Sequence, residues 1–162
     1  MGGMAQWMVP FRAVSASNLV GVYAQRYMHE FGLTREQLGQ IPLNQRRHAG
    51  LYDEAIFREP LTMDEYLGAR MISSPLGLYD CDIPCDGSCA VIVSRADAAP
   101  DLRQVVRIEA IGSALTGRNS WDQRADLTET AAHDSAKMLW ARTDLTVDDV
   151  DTVQLYDGFS FL

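Results

Sequence analysis

Five consecutive apolar residues, Cys89-Ala90-Val91-Ile92-Val93, constrain the fold of this chain most. A strand with no polar face suits the middle of a sheet covered on both sides better than an edge. Asp86-Gly87 just before it marks a tight turn. Val105 to Ala114 reads as a second strand, in which Val106, Ile108 and Ala110 alternate with Arg107 and Glu109. Thr152-Val153-Gln154-Leu155-Tyr156 reads as a third, opening into Asp157-Gly158. The expected class is therefore α/β.

The helices announce themselves by spacing and caps. From about Ala13 to Phe31, Leu19, Val22, Tyr23, Tyr27 and Phe31 recur at intervals of three and four, which predicts one buried face. Gly32 suits the C-cap. Thr34 with Gln37 forms a capping box for a short helix. Thr62 with Glu65 forms a second, for a helix running to about Ile72 and stopped by Ser73-Ser74-Pro75. Between them, residues 43–60 are polar and mixed, and Arg46-Arg47-His48 is the one basic cluster of note. Gly117 to Asp126 reads as a loop, Leu127 to Trp140 as a helix, and Thr146 with Asp149 caps one further turn.

Charge and composition exclude several functions. A formal net charge of −8 repels a polyphosphate backbone, which argues against nucleic acid as a partner. No apolar run approaches the roughly 18 residues that a membrane helix requires. The start, Met1-Gly2-Gly3-Met4-Ala5-Gln6-Trp7, lacks the basic and apolar regions of a signal peptide. The expectation is a cytoplasmic protein with no membrane association.

Neither cysteine nor histidine offers an obvious centre. Cys81, Cys85 and Cys89 are odd in number, which argues against a disulfide framework. Their spacing of four would align them on a helix, but Asp82, Pro84, Asp86 and Gly87 interrupt any helix there. With no histidine nearby to complete a zinc set, they read as small, semi-buried side chains beside a turn. His29, His48 and His133 are scattered and lack metal-ligand spacing. Glycine-rich phosphate loops, dinucleotide fingerprints and Gly-x-Ser-x-Gly elbows do not occur.

Four segments, in order, resemble the thiolase superfamily, and the sterol-carrier-type thiolases in particular. They are Tyr27 to Leu38 (YMHEFGLTREQL), Thr62 to Leu76 (TMDEYLGARMISSPL), Asp86 to Val93 (DGSCAVIV) and Asp148 to Ser160 (DDVDTVQLYDGFS). The last is similar to the family's strand-to-loop motif that carries a catalytic side chain. The resemblance implies a fragment of the thiolase fold: a mostly helical loop domain over 1–80, the end of the N-terminal core domain over 81–104, and the incomplete beginning of the C-terminal domain over 105–162. It also implies that the nucleophilic cysteine lies upstream of the matched residues, and that the Gly-His-Pro histidine and second cysteine lie beyond Leu162. Cys81, Cys85 and Cys89 match none of these positions. The fragment alone is expected to be inactive and marginally stable.

Tyr156 is the candidate catalytic residue. Thiolases carry Asn or His at the matching position, where the side chain helps to hold the thioester oxygen. A phenol is a neutral donor that can serve a developing oxyanion, or, partly deprotonated, can take a proton from a substrate hydroxyl. The sequence leaves a plainer reading open: a buried aromatic at a strand end whose hydroxyl finds a backbone partner. Asp157 and Gly158 shape the turn, with Asp157 able to bond its own backbone. The Tyr-Asp-Gly-Phe-Ser wording is similar to that of thiolase-like aldolases of steroid side-chain breakdown. These cleave a β-hydroxyacyl-CoA by retro-aldol reaction, dimerise as thiolases do, and pair with a partner carrying an OB-fold. The resemblance thus implies a CoA thioester as substrate, no covalently bound cofactor and no metal. A thiolytic acyltransferase and a non-catalytic lipid carrier or scaffold are the alternatives. Arg46-Arg47-His48 reads either as a solvated loop or as a contact for CoA phosphates.

Overall fold

The computed structural model describes residues 5–95, 97, 106–115, 125, 126, 128 and 130–162. The chain divides into two compact units. The first comprises Met1–Ile83, Arg118–Ala125 and Leu155–Leu162; the second comprises Pro84–Gly117 and Asp126–Gln154.

The first unit is mainly helical. A short helix α1 (Ala5–Met8) and a 3₁₀ turn (Val9–Phe11) precede α2 (Ala16–Phe31). Asn18 Oδ1 accepts from the Ser15 backbone N–H at 3.2 Å, so the start of α2 is capped by its own first turn. Gly32 ends it with φ 71°, and its N–H donates to the Met28 carbonyl at 2.9 Å. The buried face matches the expected one only in part: Tyr23 is buried and Tyr27 half-buried, as expected. Val20, Gly21, Tyr23 and Ala24 are buried, whereas Leu19, Val22 and Phe31 are exposed. The reason is close backbone approach. A Cβ at Gly21 would sit 3.1 Å from the Ser74 carbonyl oxygen, so the helix turns its small residues, not its largest, toward the neighbouring hairpin.

Helix α3 (Arg35–Ala49) is longer than the short helix expected from its cap. The Thr34–Gln37 box forms: Thr34 Oγ1 accepts from Gln37 N at 3.2 Å, and Gln37 Oε1 accepts from Thr34 N at 2.9 Å. Pro42 removes one internal hydrogen bond. The helix nevertheless continues, because Leu38, Gly39 and Pro42 form its buried stripe. Arg46, Arg47 and His48 therefore lie in the last turn of a helix and not in a loop, where cations complement the helix dipole.

Helix α4 (Met63–Gly68) begins on the expected Thr62–Glu65 box, with Thr62 N donating to Glu65 Oε2 at 2.8 Å. It stops at Gly68 and not near Ile72, because β1 (Met71–Ser73) turns back to pair antiparallel with β2 (Leu76–Gly77). Val20, Ala24, Leu38, Leu76 and Phe159 make the core, with Leu33, Cys81 and Phe161 packed against it.

In the second unit, α5 (Ala131–Trp140) starts on Thr130, whose Oγ1 accepts from Ala132 N at 3.2 Å. The expected start at Leu127, and most of the loop expected from Gly117 to Asp126, lie outside the described residues. Residues 106–115 have no regular structure and lie beside α5 at Ile111 and Gly112. Arg142 donates to the Ile111 carbonyl at 2.8 Å, and any Cβ at Gly112 would overlap the Ser135 carbonyl. The Thr146–Asp149 cap forms at a 3₁₀ turn, Val147–Asp149.

The expected strands are not paired. Cys89–Val93 carries no strand, and Ile92 is 95% exposed. The same holds for Val106 to Ala114, while Val105 lies outside the described residues. Thr152 to Tyr156 is likewise unpaired. A strand apolar on both faces needs a neighbour on each edge and a layer on each face. Among the described residues the one regular sheet is the two-stranded β1–β2. Asp86-Gly87 adopts no turn, and Cys85 and Cys89 are exposed rather than semi-buried. No described helix is long and apolar enough to cross a membrane.

Candidate active site

Tyr156 is presented by a short backbone ladder within the first unit. Ser160 N donates to the Asp80 carbonyl at 3.0 Å, and Asp82 N donates to the Gly158 carbonyl at 3.0 Å. Cys81 and Phe159 face each other in an antiparallel bridge between them. Gly158, Phe159 and Ser160 are buried. Phe161 packs edge-on against Tyr23 and Tyr27, with ring centroids at 5.2 and 5.3 Å. These anchors fix residues 158–161 in the core and leave the preceding residues outside it.

Tyr156 is 83% exposed. Among the described residues its ring is exposed and not buried at a strand end. The ring lies back over Gly158, where an added Cβ would overlap the phenol oxygen. Asp157 accepts a hydrogen bond from Gln45 Nε2, which ties the loop to α3. Gly158→Ala is expected to push the exposed ring aside while leaving the fold intact, since the clashing group is a side chain free to swing. Any turnover that depends on Tyr156 should fall about 10- to 100-fold, with stability changed by less than about 1 kcal/mol. Steady-state kinetics alongside a urea melt checks both.

Behind the ladder sits a buried polar cluster that the residue pattern did not reveal. Asp80 is 1% exposed. Its Oδ1 accepts from the Tyr66 hydroxyl at 2.8 Å, and its Oδ2 accepts from Gly77 N at 2.7 Å. An Arg35 terminal nitrogen lies 3.9 Å from Oδ2, and the guanidinium covers the Tyr66 ring at 5.0 Å from its centroid. Burial, above all, raises the Tyr66 phenol above its ordinary range, followed by its bond to Asp80 and that residue's charge, so it remains a donor. No motif flags Asp80 or Tyr66; only the fold brings them together.

Cys81 is half-buried, with its thiol 3.6 Å from the Gly77 carbonyl. Burial raises its pKa, and the charges of Asp80 and Asp82 add to that. A thiol held protonated is a poor nucleophile, in keeping with its mismatch to the thiolase cysteines. Among the described residues no group of three or more His, Cys, Asp and Glu side chains is placed to hold a metal.

A groove of about 630 Å³ runs beside the last turns of α3, with Arg46, Arg47 and Arg58 in its wall and no carboxylate. Arg46 donates to the Glu59 carbonyl at 3.2 Å and stacks near Phe57, 5.3 Å from its centroid. Arg47 donates to Asn44 Oδ1 at 2.8 Å. Arg58 pairs with exposed Asp53 at 2.8 Å. Inside a chain of net charge −8, this is a local cationic surface. Arg58 went unnoticed in the sequence because it lies ten residues beyond the basic cluster.

No family model matches the chain. Individual proteins do. It is 31% identical over 163 residues to the steroid side-chain-cleaving aldolase of Thermomonospora curvata, covering 95% of this chain and 41% of that protein. It is 29% identical over 150 residues to the acetyl-CoA acetyltransferase of Methanothermobacter thermautotrophicus, covering 92% and 39%. A solved structure described as an Ltp2-ChsH2(DUF35) aldolase superposes with a TM-score of 0.79 at 27% identity, over 97% of this chain and 43% of that one. The chain is therefore thiolase-like in sequence and fold. The proteins it is similar to include both an acetyl-CoA acetyltransferase and a steroid side-chain-cleaving aldolase, and it spans about two fifths of the length of these curated relatives.

Proposed function

We propose that this chain is part of a thiolase-like aldolase that cleaves a β-hydroxyacyl-CoA, with a steroid-derived side chain as the acyl group. One observation carries the reading. Tyr156, in a motif that resembles the one where thiolases carry Asn or His, is exposed, while Phe159 and Ser160 just after it are anchored in the core. A neutral phenol suits a reaction that must take a proton from a β-hydroxyl or steady an enolate oxygen. Unlike an amide, it can also act as the base that a β-hydroxyl requires, a step that acylation of a cysteine does not contain.

The reaction balances simply. The β-hydroxyl loses its proton, the bond between the α- and β-carbons breaks, and the hydroxyl carbon becomes a carbonyl. The electron pair passes into the thioester enolate, which takes a proton at the α-carbon. The products are a ketone or aldehyde and a shortened acyl-CoA. The arginine-lined groove on α3 supports a CoA thioester as substrate, since guanidinium groups pair with phosphates.

This activity belongs, in our reading, to a subunit of the length of the relatives. The present residues supply its loop domain and parts of its two core domains, and do not turn over substrate alone. The likeness to a DUF35-containing aldolase supports a partner protein with an OB-fold, and a thiolase-like subunit suits a homodimer. The likeness to an acetyltransferase keeps thiolysis as the second reading.

The two are separated by their need for free CoA. The full-length protein with its partner should consume a β-hydroxyacyl-CoA without added CoA, releasing a carbonyl compound. Cleavage of a β-ketoacyl-CoA strictly dependent on free CoA would establish thiolysis instead. Saturable binding without consumption of either would point to a lipid carrier.

A further inference from the structure

We propose that Asp80 is the positioning residue for the Tyr156 loop, acting through the ladder between residues 80–82 and 158–160. The inference deepens the aldolase reading and rests on Tyr156 as its catalytic group.

A buried carboxylate is expensive to desolvate, and an apolar residue of similar size would stabilise a core at least as well. What Asp80 provides instead is fixed geometry. Each carboxylate oxygen has its own donor, Tyr66 on one side and the Gly77 backbone on the other, at 2.8 and 2.7 Å. Arg35 approaches from α3 at 3.9 Å. Three separate segments thus hold one side chain, and with it the backbone of residue 80. That backbone receives Ser160 N at 3.0 Å, and two residues on Asp82 N reaches the Gly158 carbonyl at 3.0 Å. Gly158 is the residue on which the Tyr156 ring rests. The connection therefore runs from Arg35 and Tyr66, through Asp80, to Ser160 and Gly158, and so to the phenol. The Ser160 hydroxyl is buried without a partner, so the loop is held at this point by its backbone and not by that side chain. Gln45 of α3 also holds Asp157, the residue next to Tyr156.

The test joins amide exchange to turnover, both in the full-length protein with its partner. Asp80→Ala should raise exchange at the Ser160 and Asp82 amides by about 10-fold or more beyond any change at Ala24 in α2, which reports global opening. In turnover it should lower kcat by about 10-fold with KM within about twofold, and should add no further loss to Tyr156→Phe. Asp80→Asn should restore both readouts to within about threefold, because its amide oxygen accepts from Gly77 N while its NH₂ donates to the Tyr66 oxygen. If Asp80→Ala does not fold, Tyr66→Phe serves, since it frees one carboxylate oxygen and should loosen the same two amides. Exchange at Ser160 and Asp82 that rises only in step with Ala24 overturns the proposal. So does an Asp80→Ala loss that multiplies fully with that of Tyr156→Phe. The two readings fail separately: normal turnover in Tyr156→Phe removes the catalytic role, while the exchange data still decide whether Asp80 holds the loop.

Discussion

Tyr156→Phe is expected to lower carbon–carbon cleavage by roughly 10²-fold or more, the usual contribution of a positioned acid or base. The substitution removes one oxygen and leaves the ring. Because Tyr156 is 83% exposed and lies outside the core cluster, the fold should not register the loss. Binding of the CoA moiety should also persist, because the arginine groove is built from α3 and residues 50–61. The effect should therefore fall on kcat with KM nearly unchanged, which stopped-flow or steady-state assay of carbonyl release would show. Near-normal turnover would remove the phenol from the chemistry.

The second large effect concerns stability. Leu76→Ala is expected to destabilise the first unit by about 2–5 kcal/mol. Leu76 is fully buried among Val20, Ala24, Leu38 and Phe159, so truncation leaves a cavity where α2, α3, β2 and the closing segment meet. Total stabilities of about 5–15 kcal/mol make that a large share. Gly77, which binds Asp80, is the next residue, so the variant should also loosen the ladder before it unfolds the chain. Urea titration followed by circular dichroism measures the loss; a change below about 1 kcal/mol would contradict this account of the core.

What could be read from the sequence was local. The Thr34–Gln37, Thr62–Glu65 and Thr146–Asp149 caps all formed, because each closes within four residues. Gly32 ended α2 for the same reason. Apart from the Asp86-Gly87 turn, which does not form, the differences are non-local. The spacing of Leu19 and Val22 predicts that they are buried, whereas Gly21 and Ala24 let the hairpin approach the helix backbone and leave those two exposed. The run from Cys89 to Val93 asks for strand neighbours that the described residues do not supply. Tyr156 was legible as a position in a motif, but its exposure depends on Phe159 and Phe161 being anchored from elsewhere in the chain. Asp80 and Tyr66, fourteen residues apart, form a pair that no periodicity marks.

The central claim is that the bond breaks by retro-aldol cleavage, and solvent isotope labelling tests it most directly. When the full-length protein with its partner cleaves a β-hydroxyacyl-CoA in D₂O without free CoA, the account predicts one deuterium on the α-carbon of the released acyl-CoA, placed there as the enolate is protonated. Release of acyl-CoA only when free CoA is supplied and consumed, as in thiolysis of a β-ketoacyl-CoA, would contradict it.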